Sequence, residues 1–523
     1  ESSDRRARRV LLLSALAIGG CLILTKSRSA WAALAGGLVL LPACMPELRR
    51  RLDWRVAAML AGSLALLVAG AVAVRGLDRQ VVSEAGKSLG YRLEYWQATW
   101  QMIREHPWLG CGPGNFQDAY MRYKLAVASE EIQDPHNLFF EVWGSAGTPA
   151  LLALLAVLGC FAWQTWRRTT PEIASGDTGA DDLASAAALP LGAAAGVILA
   201  YFVGPLMGFQ LGGPDALIGV VLGGLVVAGI WPWVRRGRLP GLLLPLALLV
   251  LVVHLSAAGG ISIPGVAYSF WLLLALGVNQ SMGVQPLAVA PMHTVPQSRI
   301  AEAPSRTPWG AIVAMALAGA GAAACYVSAY QPVLRATAAL YQAQTSEQHQ
   351  DWRQYEQALL EASQADPLQS QSWPLLAALD FQRLVAHGRV AASPNEETRL
   401  QFDRALRMML RLRPQSSAMY RQAGEWLLEL YQRSGNPDDA RRAVDYYRRA
   451  IELYPNSALA HGELALVLAA TGDRHAAQPE NERARQLDAA MPHADKKLPV
   501  DVQRQLEAIV EPAARSQAAG PQK

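Results

Sequence analysis

The 523-residue chain is 52% hydrophobic and 17% charged, with a formal net charge of only +4. That charge, with no basic stripe or zinc-finger spacing, excludes a nucleic-acid binder. The apolar residues are also segregated. Residues 10–330 are mostly Leu, Ala, Val and Gly with charge in short islands, whereas 335–523 are rich in Gln, Arg, Glu and Ala without a long apolar run. Cys21, Cys44, Cys160 and Cys325 sit within apolar runs and Cys111 in a polar loop, a scatter that makes neither a disulfide framework nor a metal cluster.

Apolar runs near 10–25, 30–46, 56–74, 138–163, 186–207, 215–233, 240–257, 264–281 and 309–330 are candidate spans. A spanning helix needs about 20 residues, so the first two are marginal and 138–163 is comfortable. Basic islands orient them: Arg5 to Arg9 before the first run, Arg49 to Arg55 after the second, Arg167-Arg168 after the fourth and Arg235 to Arg238 after the sixth. With these islands in the cytoplasm the runs alternate without conflict. Lys26-Ser27-Arg28, the loop 75–137 and the tail then share the outer face, which in a bacterial inner membrane is the periplasm. The chain begins on glutamate and shows no signal peptide, so a fragment lacking earlier spans is expected. The acidic stretch 169–184 and the Pro-rich 284–308 read as linkers.

Three outer-face pieces carry chemistry. Thr25-Lys26-Ser27-Arg28 is a charged hairpin between two runs. Tyr91-Arg92-Leu93-Glu94-Tyr95-Trp96 opens a helix on which Arg92, Trp96, Trp100 and Ile103 share a face. Asp134-Pro135-His136-Asn137 marks re-entry into the membrane. Each has a plainer role available: a snorkelling anchor for Lys26 and Arg28, a pair with Glu94 or a phospholipid for Arg92, a cap neighbour for His136. Their convergence points further, because a pyrophosphate needs fork-shaped guanidinium donors and a hydroxyl nucleophile needs a base titrating near neutrality. Gly110-Cys111-Gly112-Pro113-Gly114-Asn115-Phe116 lacks the glycine spacing of a nucleotide loop and reads as a tight turn. Glu130, Glu131 and Asp134 read as a solvated acidic loop rather than a metal site, and Asp215 and His254 as packing or interface residues.

These residues resemble the O-antigen ligase and polymerase superfamily of bacterial membrane glycosyltransferases. The likeness runs from Thr25-Lys26-Ser27-Arg28 through Arg92 to Trp96 and His106-Pro107-Trp108-Leu109-Gly110-Cys111-Gly112-Pro113-Gly114-Asn115-Phe116 to His136-Asn137 and Gly147, within roughly residues 10–280. It implies a polytopic, GT-C-like helical bundle that moves a glycan from an undecaprenyl-pyrophosphate carrier to a hydroxyl acceptor, lipid or protein, at the periplasmic face, with no cofactor or metal. It further implies that Arg28 and Arg92 hold the pyrophosphate and His136 acts in acceptor activation, with Lys26, Trp96, Asn115 and Asn137 as substrate contacts. In the ligase motif a Gly, Thr or Tyr follows Gly147 by three places. Ala150 stands there, which weakens a ligase in the narrow sense against a repeat-unit polymerase or a protein-directed transferase.

The tail from about 336 is helical in period, punctuated by Asp366-Pro367, Arg413-Pro414 and Tyr454-Pro455, with Ala443, Ala450, Ala465, Ala477, Ala484 and Ala489 at intervals that let paired helices approach. It resembles tetratricopeptide repeats, whose period is about 34, in three or so units. The expected organisation is therefore all-α: a transmembrane domain over 1–332 followed by a soluble helical repeat domain over 333–523. The repeats offer a concave surface for a protein partner or act as a spacer. The rival of another class is a non-catalytic membrane scaffold in which the repeats do the work.

Overall fold

The computed structural model describes residues 18–20, 22, 25, 27–44, 85–167, 242–282, 309–387 and 396–518. Every regular element among them is helical. The candidate spans at 56–74, 186–207 and 215–233, most of 10–25, and with them Lys26, Asp215 and the linkers 169–184 and 284–308, lie outside the described residues.

The apolar half contributes α1 (Arg28–Cys44), α2 (Ala85–Glu105), a one-turn α3 (Phe116–Tyr120), α4 (Leu138–Arg167), α5 (Leu243–Ala258) and α6 (Pro264–Met282). Leu138, Leu154 and Phe161 of α4 close a core with Leu248 and Leu255 of α5 and Phe270 of α6. Small residues set the closest approaches: a Cβ on Gly37 would stand 2.3 Å from Val250 Cγ2, so α1 and α5 touch nearly backbone to side chain. Away from these seams, Leu152, Leu155, Trp163, Leu249, Trp271 and Leu272 are exposed, a surface suited to lipid rather than water.

Among the described residues α4 is the helix long and apolar enough to cross a membrane. The apolar run that reads as continuous is broken at Gly147, whose φ of 81° and ψ of −179° are not helical. From residue 148 to Arg167 the remaining helix rises about 30 Å, the thickness of a hydrocarbon core. The break frees two carbonyls, and the glycine-rich loop uses them: Cys111 N–H donates to Gly144 O at 2.8 Å and Gly112 N–H to Ser145 O at 3.0 Å. Thr148 N–H and its hydroxyl both donate to Pro107 O. A Cβ on Gly147 would lie 2.0 Å from Trp108 O. Gly147→Ala combines that clash with a positive φ, and the expected outcome is a loss of about 3 kcal/mol, read as a lowered thermal midpoint.

The second half is a stack of antiparallel hairpins. Its first helix is continuous with the apolar half, because α7 (Trp309–Cys325), a π turn (Tyr326–Tyr330) and α8 (Gln331–Gln348) run on without a break. The boundary at 332/333 thus falls inside one helical rod. Pro332 has no N–H and its ring crowds the carbonyl of Ser328, and the wider turn just before it relieves that clash. α8 pairs with α9 (Trp352–Ala365), α10 (Ser372–His387) with α11 (Glu396–Leu412), α12 (Ser417–Ser434) with α13 (Pro437–Leu453) and α14 (Ala458–Ala470) with α15 (Arg474–Ala490). α16 (Val500–Ala518) closes against α14. Among the described residues there are four hairpins where three or so units were expected, and Pro367, Pro414 and Pro455 each follow the second helix of a pair. Ala443, Ala450, Ala465, Ala477 and Ala484 are fully buried, as close pairing requires, whereas Ala489 faces out.

The two halves are bonded to each other. Arg413 Nη2 donates to Asp118 Oδ2 at 2.8 Å, Lys124 Nζ to the Tyr454 hydroxyl at 2.8 Å and Asn456 Nδ2 to Lys124 O at 2.9 Å. Tyr91 on α2 meets His493 of the tail, with ring centroids 5.7 Å apart.

Candidate functional site

Arg28 is the first residue of α1, Arg92 stands in the early turns of α2, and His136 lies two residues before α4. Three separate elements bring them together. The Arg28 charge and burial both pull the Arg92 pKa down, burial most, and the Arg92 charge in turn acts on His136. Among the described residues neither guanidinium has a carboxylate partner, and Arg28 Nη1 is buried without an acceptor. Glu94 does not pair with Arg92: one of its oxygens is itself buried and unpartnered, and burial raises its pKa. Two half-buried like charges facing each other are unfavourable unless an anion joins them.

His136 is held by its own turn. Its φ is +52°, unusual for a residue with a Cβ. Asp134 Oδ1 accepts the His136 main-chain N–H at 2.7 Å and lies 3.1 Å from Nδ1. This bond raises the imidazole pKa above its ordinary value; burial and the Arg92 charge oppose it, and the Ala258 carbonyl assists. The turn is gripped from several sides. Trp96 Nε1 donates to Pro135 O at 3.0 Å, and Tyr95 packs edge-on to the imidazole at 5.9 Å while its hydroxyl donates to Glu130 at 2.6 Å. Gly259, with φ +65°, passes so close that a Cβ would stand 2.4 Å from Asp134 Oδ1 and 2.8 Å from His136 Cα.

The remaining sequence candidates fall differently. Asn137 caps α4, its Oδ1 accepting from Phe139 and Phe140 N–H while Nδ2 donates to Ser256 O at 2.8 Å. Both ends of its amide are thus engaged within the protein, and Trp96 likewise supports the turn. Asn115 stands in the glycine-rich loop after α2, where its exposed amide donates to Cys111 O. Glu130 is not simply solvated, since it takes the Tyr95 hydroxyl.

The sequence reading missed Glu141 and set His254 aside as a packing or interface residue. His254, on α5, has a buried and unpartnered Nδ1 and lies close enough to feel the Arg92 charge and the Ser29 carbonyl. Glu141, only 5% exposed, accepts three main-chain N–H groups from the loop after α5: Gly260 at 2.9 Å, Ile261 at 3.3 Å and Ser262 at 3.0 Å. The signal for Glu141 was a lone carboxylate inside an apolar run, which has to find buried donors. For His254 it was one imidazole in a leucine-rich span.

Residues 13–155 match a family model described as O-antigen ligase. Arg28, Arg92, His136 and Glu141 fall inside that stretch, whereas His254 and the hairpin stack fall outside it. An O-antigen ligase of Pseudomonas aeruginosa is 32% identical over 163 residues, which is 31% of this chain. The chain covers 36% of that relative's length.

Proposed function

We propose that the chain is a multi-pass glycosyltransferase of the bacterial inner membrane. It transfers a glycan from an undecaprenyl-pyrophosphate carrier to a hydroxyl acceptor at the periplasmic face. The observation that carries this reading is the pair of half-buried guanidiniums, Arg28 and Arg92, without an anionic partner beside an imidazole set on a carboxylate. The likeness to the O-antigen ligase family supports the substrate class. Contact between the loop 116–131 and the tail agrees with an orientation that puts both on the same side of the membrane. The hairpin stack reads as tetratricopeptide-like.

In the proposed reaction the acceptor oxygen attacks the anomeric carbon. Its proton passes to His136, the new C–O bond forms, and the bond to the carrier phosphate breaks with its electron pair leaving on pyrophosphate. Arg28 and Arg92 stabilise that growing negative charge more than they stabilise the bound substrate. Asp134 on Nδ1 fixes the imidazole tautomer and leaves Nε2 to take the proton.

In liposomes carrying lipid-linked glycan and an acceptor, the protein is expected to release free undecaprenyl pyrophosphate. His136→Ala should release it about a hundredfold more slowly or worse. Equal release from both would remove His136 as the base, and none from the unaltered protein would reject the enzyme in favour of a scaffold.

The base must be deprotonated to act, so a raised His136 pKa moves the acid limb of the rate profile above the usual imidazole range. Asp134→Asn removes the main raising influence and is expected to shift that limb to lower pH. A pH–rate profile of the two proteins checks the sign, and a limb that stays put removes Asp134 from the assignment.

A further inference from the structure

Where the tail meets the loop 116–131, the two do not close fully: a cavity of about 550 Å³ remains between them. Its size lies in the range of small-molecule sites, about 300–1,000 Å³. The bridges Arg413–Asp118 and Lys124–Tyr454 fix its walls. Its lining mixes the cations Lys124, Arg413, Arg421, Lys496 and Lys497 with the carboxylates Asp118, Glu131, Asp488 and Asp495, so neither sign of charge clearly prevails. Lys124 is 3% exposed, and its ammonium has three donors, of which the Tyr454 hydroxyl takes one. Burial lowers its pKa while Glu131 supports the charge. Met121, Met419, Tyr454, Leu459, Leu487 and Met491 add apolar surface between the polar groups.

We infer that this cavity is a saccharide subsite, holding sugar residues of a glycan chain at the outer face. A carbohydrate offers hydroxyls that both donate and accept, and C–H faces that rest on small apolar patches; the lining supplies all three. A phosphate alone would call for a cationic excess. A peptide would call for a strand edge or a continuous apolar groove; the described elements here are helical, and charged side chains interrupt the apolar residues of the lining. The cavity also adjoins the candidate site. Glu131 lines it, and neighbouring Glu130 holds the Tyr95 hydroxyl, whose ring packs on His136. This inference rests on the proposed glycan transfer for its substrate class. The sugar could belong to the donor or to the acceptor.

The test measures binding of two lipid-free probes to the purified full chain in nanodiscs, by saturation-transfer NMR. One probe is the oligosaccharide released from the host's lipid-linked glycan by mild acid; the other is the deacylated core oligosaccharide of its lipopolysaccharide. At least one is expected to bind, and the one that does identifies the source. Lys124→Met should weaken it about tenfold, the loss of one hydrogen bond from a charged donor. Should Lys124→Met unseat the tail, Asp495→Ala with Lys496→Ala alters exposed lining residues without touching the bridges and should weaken binding in the same direction. His136→Ala, which tests the transfer reading, should leave binding of either sugar unchanged. Binding of neither probe, binding indifferent to both sets of lining changes, or capture of a protein acceptor alone would overturn the subsite whatever His136→Ala does to transfer.

Discussion

Replacing Arg28 or Arg92 with alanine is expected to slow glycan transfer about a hundredfold or more, with membrane insertion unchanged. Among the described residues neither side chain makes an ion pair, so the loss should fall on chemistry rather than stability. Removing Arg28 even relieves the repulsion that lowers the Arg92 pKa. If, as proposed, both forks hold one diphosphate, the double variant should lose less than the product of the two single losses. Arg92→Lys keeps the charge and discards the planar fork, so it should recover only part of the rate. The measurement is carrier pyrophosphate released per protein in liposomes; near-normal release from both single variants would remove the guanidinium pair from the mechanism.

Glu141→Ala is expected to destabilise the apolar half by on the order of 3 kcal/mol or more and to abolish transfer with it. The carboxylate is the acceptor for the N–H groups of Gly260, Ile261 and Ser262. Without it the N–H of buried Gly260 is stranded, and those of half-buried Ile261 and exposed Ser262 lose a charged acceptor. The same loop includes Gly259, which packs on Asp134 and His136, so a loosened loop also releases the proposed base. Glu141→Gln retains one acceptor oxygen and should fall between the two. Thermal unfolding separates the cases: an alanine variant that melts like the unaltered protein would show that the loop is held by something else.

How much of this could be read from sequence differs from element to element. The grouping of Arg28, Arg92 and His136 was anticipated from the expected alternation of the runs, and in the structure Arg28 acts on Arg92 and Arg92 on His136. Pro367, Pro414 and Pro455 were legible as helix boundaries because each stands beside a turn signal just past a helix end, whereas Pro479 sits inside α15. The Gly147 break was hidden, since a glycine in an apolar run reads like any small packing residue until Trp108 O is seen pressed against it. Glu141 and Asn137 bond to partners 119 residues away, Gly260 and Ser256. No periodicity encodes such a distance; it is fixed only when α4 and α5 pack. For that reason Asn137 looked like a ligand contact, although its amide is committed to the fold.

The unbroken rod from Trp309 to Gln348 has a geometric consequence. A helix transmits rotation: one residue added or removed turns everything beyond it by about 100°. The hairpin stack is therefore indexed by the rod at its root and latched by Arg413, Tyr454 and Asn456 onto the loop beside His136. Length between Trp309 and Gln348 is consequently a phase setting, and the stack behaves as a fixed canopy rather than a tethered, tumbling appendage.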